Sequence, residues 1–206
     1  MRNLVAHILS SSLQNMFQAQ PDLSLFVPQE TQEREPNLSF HLANELWKYL
    51  FWLNCDFDVT KGGHYNQRPD IVFHRRGSNA LNFLVVEVKR PTNPDGVQHD
   101  LSKIRNHWFE GTLQYDFGAS VLIDVTARDF EIRLLARGCP EDLTPITQAT
   151  LPQPLSPPKF NRVRRTRLVN LAQRTATAAA ANRPADAVVL KRRLADSVRA
   201  LYAPAN

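Results

Sequence analysis

The chain has 206 residues, enough for one domain with a substantial core plus an appendage, and 43% of them are hydrophobic, as in globular proteins. No apolar run is long enough to cross a bilayer and the N-terminus lacks a signal-peptide pattern, so we expect a cytoplasmic protein without a membrane partner. The net charge of +5 is uneven, because residues 159–206 hold 11 Lys/Arg and 2 Asp/Glu whereas residues 1–158 hold 14 and 18.

The first elements predicted along the chain are two helices and a strand. Residues 1–20 carry apolar side chains at helical spacing and are followed by Pro21, which predicts an amphipathic helix. This helix would cover the core of its own domain or form a dimer contact, and we favour core cover. A second helix is predicted from Glu35 to Leu50, since proline directly after Glu35 suits a first helical turn. Residues 55–61 alternate apolar and polar side chains, which predicts a strand with one wet face.

The segment 68–90 is predicted to form a β-hairpin, because two β-branched and aromatic runs flank a short group of turn-forming residues. If the turn is centred on residues 78–79, Asp70 lies directly opposite Glu87 on the same face. Directly opposed residues have Cβ atoms about 4.5–5.5 Å apart. Strand alternation returns Lys89 to that face as well, so two acids and one amine are predicted to lie together.

Two opposed carboxylates suit Mg²⁺, a hard cation that keeps several waters and often completes its shell with substrate phosphate. The ammonium of Lys89 would then orient or deprotonate water, or neutralise charge that develops on a phosphate. The alternative is that Asp70 opens a strand after Pro69, and that Glu87 and Lys89 form a solvated strand face. We favour the metal site, because an acid inside an apolar strand needs a partner or a metal.

The remaining elements of the predicted domain lie between the hairpin and residue 138. Residues 91–96 are predicted to form a loop and residues 100–115 a helix, whose Lys103 would reach the site or a phosphate, although we favour a solvated face for it. Strands are predicted at 119–125 and 130–136. The order of elements predicts an α/β fold in which helices flank both faces of a mixed central sheet.

The rest of the chain is predicted to be an appendage to a domain of residues 1–138. Residues 139–158 contain six prolines and read as a linker or a wrapping arm. Residues 159–206 are predicted to form a basic extension that ends in an amphipathic helix. Its charge is typical of binding to a nucleic-acid backbone, while solubility, a partner helix or an acidic protein surface would also explain it. The residues predicted to contact nucleic acid are Arg162, Arg164, Arg165, Arg167, Lys191, Arg192 and Arg193.

The hairpin residues resemble a known family. Arg68-Pro69-Asp70, followed by Glu87-Val88-Lys89 at the end of an apolar strand, resembles the PD-(D/E)xK nuclease superfamily, the fold of many restriction endonucleases and junction resolvases. The resemblance implies a restriction-endonuclease-like three-layer core, with a mixed central sheet flanked by helices, here with a basic helical C-terminal extension. It also implies a nuclease that depends on Mg²⁺, for which Mn²⁺ would substitute.

A closer resemblance, over about residues 35–125, is to an uncharacterised group of small bacterial proteins within that superfamily. In that group a Glu precedes a Phe-x-Leu-x-x-x-Leu helix, matched here by Phe40, Leu42 and Leu46. Such a helix often supplies a carboxylate to the metal site in the superfamily. The candidates here are Glu33, Glu35 and Glu45. The resemblance favours Glu35, whose alternative role is that of an acid stabilised by the helix dipole.

The combined prediction is a Mg²⁺-dependent deoxyribonuclease, most simply an endonuclease, in which Asp70, Glu87 and Glu35 bind metal. Lys89 would assist the attack of water on a phosphodiester, and the basic extension would hold the substrate. By resemblance to restriction enzymes, cleavage of both strands of a duplex implies a homodimer. One alternative is a non-catalytic nucleic-acid-binding or assembly subunit that keeps a nuclease-like scaffold. Another is a toxin or defence effector, which a protein partner holds through the C-terminal helix.

Overall fold

The computed structural model describes residues 1–24, 34–57, 68–91, 95–110, 113–151, 154–158 and 162–203. Within these ranges the chain forms one six-stranded sheet whose strands follow each other in chain order. The strands are β1 (Asn54–Phe57), β2 (Ile71–His74), β3 (Asn82–Lys89), β4 (Phe117–Asp124), β5 (Asp129–Ala136) and β6 (Ile146–Thr147). Strands β3 and β4 pair in parallel and the other neighbours pair antiparallel, so the α/β class with a mixed sheet is confirmed.

Five α-helices accompany the sheet in the described part of the chain. They are α1 (Arg2–Ala19), α2 (Arg34–Tyr49), α3 (Asp95–Lys103), α4 (Arg162–Ala180) and α5 (Pro184–Leu201). A π-helical turn at Ile104–Phe109 continues α3, and a 3₁₀ turn at Asn79–Leu81 joins β2 to β3. Helix α3 and its π-helical turn form the crossover that parallel pairing of β3 and β4 requires. None of these helices is long and apolar enough to span a bilayer.

Helices pack on both faces of the sheet, as predicted. Ile71 and Val86 point into the larger core, which contains buried residues of α1, α2, α4 and α5. Val72 and Val85 point into a smaller core beneath α3 and the π-helical turn. The alternation of side chains along each strand therefore separates the two cores.

The first two helices form where the apolar spacing predicts them. Val5, Leu9 and Leu13 of α1 are at most 1% exposed, so this helix covers the core of its own domain. Helix α2 begins one residue before the predicted start at Glu35. The motif of α2 that carries the family resemblance has two buried leucines, while its aromatic residue, Phe40, is 43% exposed.

The proline-rich segment is a wrapping arm. Strand β6 adds to the edge of the sheet by pairing with β5. The sequence did not predict this strand, because the segment is rich in proline. Further along, the backbone N–H of Leu155 donates to Ser11 Oγ, and the carbonyl of Leu155 accepts from the Tyr49 hydroxyl. These contacts fasten the arm to α1 and α2.

The basic extension is a hairpin of two helices, since the alanine-rich run that follows its first arginines continues α4. Leu168 of α4 and Leu194 of α5 are buried in the larger core. Helix α4 also packs against the 3₁₀ turn between β2 and β3, and Lys191 of α5 forms an ion pair of 2.7 Å with Asp116 before β4. The extension therefore lies against the beginning of β3.

Candidate active site

The pairing of β2 with β3 brings the two predicted carboxylates together. Ile71 pairs with Val86 and Phe73 with Leu84, which is the predicted register for this half of the hairpin. A bulge after Phe73 shifts the register nearer the turn. Asp70 lies directly before β2, and its Oδ2 accepts a hydrogen bond of 2.6 Å from the backbone N–H of Val88. Asp70 is therefore held against β3 beside Glu87.

Glu87 is a buried carboxylate on the face of the sheet beneath α3, with only 1% of its surface exposed. Its Oε2 accepts a hydrogen bond of 2.9 Å from Lys103 Nζ, and its Oε1 accepts one of 2.9 Å from the indole N–H of Trp108. Lys103 also donates to the carbonyl of Arg68 at 2.9 Å, which links α3 to the start of the hairpin. The solvated face that we favoured for Lys103 is wrong, because the buried carboxylate gives its ammonium a partner.

Lys89 shares this face and lies beside a further acid that the sequence analysis did not identify. Its Nζ is 3.6 Å from Asp100 Oδ1 and donates to the carbonyl of Val88 at 3.1 Å. Asp100 is 1% exposed and its Oδ2 accepts a hydrogen bond of 3.2 Å from the Ser120 hydroxyl. Asp100 precedes Trp108 by about two helical turns, so both residues lie on the apolar face of the predicted helix. An acid on that face was the feature of the sequence that could have identified Asp100 as part of the site.

Two acids of this cluster, Glu87 and Asp100, have raised pKa values. Burial raises the pKa of Glu87 to about 7, with the negative charges of Asp70 and Asp100 adding to the effect and Lys103 opposing it. Burial likewise raises the pKa of Asp100, to which Asp70 contributes, while Lys89 and Lys103 oppose the rise. The cluster thus contains three carboxyl groups and two ammonium groups, and an added cation would stabilise the ionised acids. The carboxyl groups are those of Asp70, Glu87 and Asp100, and the ammonium groups are those of Lys89 and Lys103.

The π-helical turn after α3 positions the indole that binds Glu87. This turn approaches β4 closely at Gly118, where an added Cβ would lie 2.3 Å from Ile104 Cγ2. Glycine at this position therefore lets the turn pack down onto the sheet. Trp108 is completely buried there, in the smaller core. Single π-helical turns are frequent at functional sites, where they redirect side chains of a helix.

The donor chemistry of the cluster suits a hard divalent cation, and two carboxylates are a common protein contribution to Mg²⁺ sites that also use water and substrate phosphate. Asp70 and Glu87 would be this pair. Among the residues that the structure describes, no three His, Cys, Asp or Glu side chains are grouped as a metal ion would need. Glu35 lies in the first turn of α2, but its side chain lies outside the described part of the structure.

Two other acids, Glu33 and Glu45, were considered for this role. Glu33 lies outside the described residues. Glu45 is on α2, where both of its carboxylate oxygens accept hydrogen bonds from Lys48, at 2.5 and 2.6 Å. Asp70 and Glu87 are thus the predicted metal ligands whose surroundings the structure describes.

The predicted nucleic-acid contacts lie apart from this cluster. Helices α4 and α5 pack into the larger core, on the opposite face of the sheet from Glu87. Two of the predicted basic residues have partners within the protein: Lys191 pairs with Asp116, and the guanidinium of Arg165 lies 5.8 Å from the ring centre of Phe51. The other predicted arginines are exposed on the two helices. They are Arg162, Arg164, Arg167, Arg192 and Arg193.

Comparison of the chain with known protein families, with curated proteins and with solved structures found no match. The residues of the cluster and their geometry are therefore the basis for proposing a function.

Proposed function

We propose that this chain is a metal-dependent nuclease with a restriction-endonuclease-like core and DNA as its substrate. The observation that carries the proposal is the meeting of Asp70 and Glu87 on one face of a β-hairpin, with Lys89 next along the same strand face. The burial of Glu87 beside two further acids supports it, because a bound cation would offset the burial and mutual repulsion that oppose ionisation of these acids.

Asp70 and Glu87, with Glu35 from α2, would hold Mg²⁺ or Mn²⁺. The bound ion would polarise the phosphodiester and generate hydroxide from water at neutral pH. The ammonium of Lys89 would neutralise charge that develops on the phosphate or hold the attacking water. Within the protein, Asp100 positions Lys89, and Ser120 in turn holds Asp100 by a hydrogen bond.

Two residues would keep Glu87 in place. Trp108 orients the carboxylate through its indole N–H, and Lys103 provides a positive charge beside it. Phosphoryl chemistry needs mainly positioning and charge neutralisation from a protein. A small group of acids and amines on two neighbouring strands and one crossover helix is sufficient for it.

One observation favours a second candidate, a non-catalytic nucleic-acid-binding or assembly subunit. Both oxygens of Glu87 already have hydrogen-bond donors inside the protein, from Lys103 and Trp108. A scaffold that holds no metal would satisfy a buried carboxylate in the same way. The two candidates differ in whether Asp70 and Glu87 respond to Mg²⁺.

The test is cleavage of supercoiled plasmid DNA by the purified protein in Mg²⁺, in Mn²⁺ and in EDTA. Asp70→Asn and Lys89→Met should each lower the rate by about a hundredfold or more, as loss of a charge-stabilising group does in other active sites. Glu45→Gln is the matched control, because it neutralises a buried acid outside the cluster and should cleave like the wild type. Equal cleavage by all four proteins would remove the assignment. Absence of cleavage, with no Asp70-dependent Mg²⁺ binding by calorimetry, would favour the scaffold.

A further inference from the structure

The two helices of the C-terminal hairpin enclose a groove of about 880 Å³ on the surface of the protein. Four arginines and a single acid are among the residues that line it. The arginines are Arg162, Arg167, Arg174 and Arg193, and the acid is Asp196. The groove is therefore strongly basic, and Arg174, which the sequence analysis did not select, belongs to it.

Among the described residues, no ion pair neutralises the positive charge of the groove arginines. Asp196 binds Arg199 at 2.8 Å, and Arg183 lies 3.6 Å from Asp186, so the acids of the hairpin are engaged by arginines outside the groove. Across the described ranges, no carboxylate forms an ion pair with any of the four groove arginines. Like charges that face one groove repel each other, and a bound anion would relieve this repulsion.

The length of the groove favours an extended anion. Arg162 and Arg174, which both line it, stand twelve residues apart on α4, which corresponds to about 18 Å along a helix. A strand of B-form DNA places a phosphate about every 3.4 Å along its axis, so the groove would follow about five phosphates. A small anion would use only one end of it. Guanidinium groups also bind phosphate oxygens in a bidentate manner, which suits an arginine-lined groove.

The groove is separate from the carboxylate cluster. The hairpin packs on the opposite face of the sheet and against the 3₁₀ turn at Asn79–Leu81, where β3 begins. Glu87 lies on the other face, where it accepts a hydrogen bond from Trp108 of the smaller core, so the sheet separates the groove from the cluster. A nucleic acid in the groove therefore need not contact the cluster.

We infer that the groove between α4 and α5 is a second nucleic-acid-binding site, which holds the phosphate backbone independently of the carboxylate cluster. This inference goes beyond the proposed nuclease activity, because the groove binds nucleic acid whether or not the cluster cleaves it. It also revises the predicted set of contacts: Arg174 joins it, while Lys191 and Arg165 serve the packing of the hairpin.

The test is binding of a fluorescently labelled 20-base-pair DNA duplex to the full chain in EDTA, followed by anisotropy at several salt concentrations. The double variant Arg167→Gln/Arg174→Gln removes two groove charges. The control, Arg105→Gln/Arg183→Gln, removes two charges that lie outside the groove, in ion pairs with Glu141 and Asp186. Losing two phosphate contacts should reduce the slope of log K against log salt by about 1.8, and should weaken binding at 0.1 M salt by at least about tenfold. The control should bind nearly like the wild type.

Three outcomes would overturn the inference. Equal weakening by the two double variants would mean that net charge, and not the groove, governs binding. Wild-type protein that fails to bind the duplex but binds vesicles containing phosphatidylserine would assign the groove to a lipid surface. Loss of helicity by circular dichroism in the groove variant alone would assign the arginines to folding. Because binding is measured in EDTA and on intact Asp70 and Glu87, failure of the nuclease proposal leaves this result unaffected.

Discussion

The buried ion pair between Lys103 and Glu87 provides a sharp test of the carboxylate cluster. Nζ and Oε2 are 2.9 Å apart, and the two side chains are only 13% and 1% exposed. At an effective dielectric constant of about 20, their attraction is about 6 kcal/mol before desolvation is subtracted. Removal of one partner from a buried pair costs about 3–5 kcal/mol, because the other charge is left uncompensated. We expect Lys103→Met to lower the free energy of unfolding by about 3 kcal/mol.

The measurement is urea denaturation followed by tryptophan fluorescence. Lys48→Met is the matched control, because Lys48 binds Glu45 at 2.5 Å but has 47% of its side chain exposed. Its partner Glu45 is only 9% exposed, but solvent screens the half-exposed ammonium of Lys48, so loss of this ammonium should cost about 1 kcal/mol. Adding Glu87→Gln to Lys103→Met should recover at least half of the lost stability, since the neutral amide no longer needs a counter-ion and its oxygen still accepts from the indole.

The same variants report on the proposed metal. If Mg²⁺ binds beside Glu87, it should stabilise the Lys103→Met protein more than the wild type, because the cation replaces the missing ammonium. At a hundred times its dissociation constant, a ligand that binds only the folded state adds about 2.7 kcal/mol. A cost for Lys103→Met no larger than that for Lys48→Met, or the absence of recovery by Glu87→Gln, would refute the description of Glu87 as a buried, ion-paired acid.

Three further predictions concern the surroundings of the cluster and the edge of the sheet. Gly118→Ala should lower the free energy of unfolding, measured by urea denaturation, by about 1–3 kcal/mol, because the added Cβ would lie 2.3 Å from Ile104 Cγ2 of the π-helical turn. An unchanged free energy of unfolding would mean that the turn moves freely. Trp108→Phe keeps an aromatic ring but removes the indole N–H that donates to Glu87, and should lower the free energy of unfolding by about 1.5–3 kcal/mol in the same assay. An unchanged denaturation midpoint would contradict that hydrogen bond. Burial would raise the pKa of Asp56, but hydrogen bonds from Arg76 and His74 outweigh it and lower that pKa. The stabilisation is therefore complete above the unfolded pKa of about 3.9 and is lost as pH falls through the lower folded value. In acid titrations followed by fluorescence, Asp56→Asn should thus be less stable than the wild type at pH 6 and should converge with it as the pH falls below the folded pKa of Asp56; a constant difference would contradict the linkage.

The hairpin shows how much of the site the sequence contains. Turn-forming residues and strand alternation were sufficient to place Asp70 opposite Glu87 with Lys89 on the same face, because both signals are local and periodic. The bulge near the turn was not predicted, yet it lies on the far side of Phe73 from the carboxylates and leaves their register unchanged. Local rules therefore determined the half of the hairpin on which the chemistry depends.

The residues that the crossover contributes were harder to predict. Asp100 and Trp108 lie on the apolar face of the predicted helix, but periodicity alone does not say which strand that face meets. Lys103 was assigned to solvent because lysine is rarely buried unless it is paired. Its partner, Glu87, is 16 residues away in the sequence, so only the tertiary structure brings the two charges together. The π-helical turn that positions Trp108 has no recognisable sequence pattern.

The C-terminal part of the chain likewise has features that its sequence predicts and features that only the tertiary structure shows. Its basic character and its helical final stripe were evident from composition and spacing, and both helices carry exposed arginines. The separation of the basic residues into groove, ion-pair and packing roles was not evident, since it depends on contacts such as those of Lys191 with Asp116 and of Arg165 with Phe51. Strand β6 was concealed because prolines flank its two residues and suppress any strand signal.

The parallel pairing of β3 with β4 has a consequence for how the cluster assembles during folding. Glu87, Lys89, Asp100, Lys103, Trp108 and Ser120 all belong to one strand, the crossover that follows it and the next parallel strand. Parallel pairing becomes favourable only after the whole crossover has closed, which makes it a slow and cooperative step. The contacts of Glu87 and Lys89 with the crossover should consequently form late and together, after β2–β3 pairing has brought Asp70 beside Glu87. A partial opening that detaches α3 would remove these contacts without unfolding the rest of the sheet, so amide hydrogen exchange along α3 would report directly on their integrity.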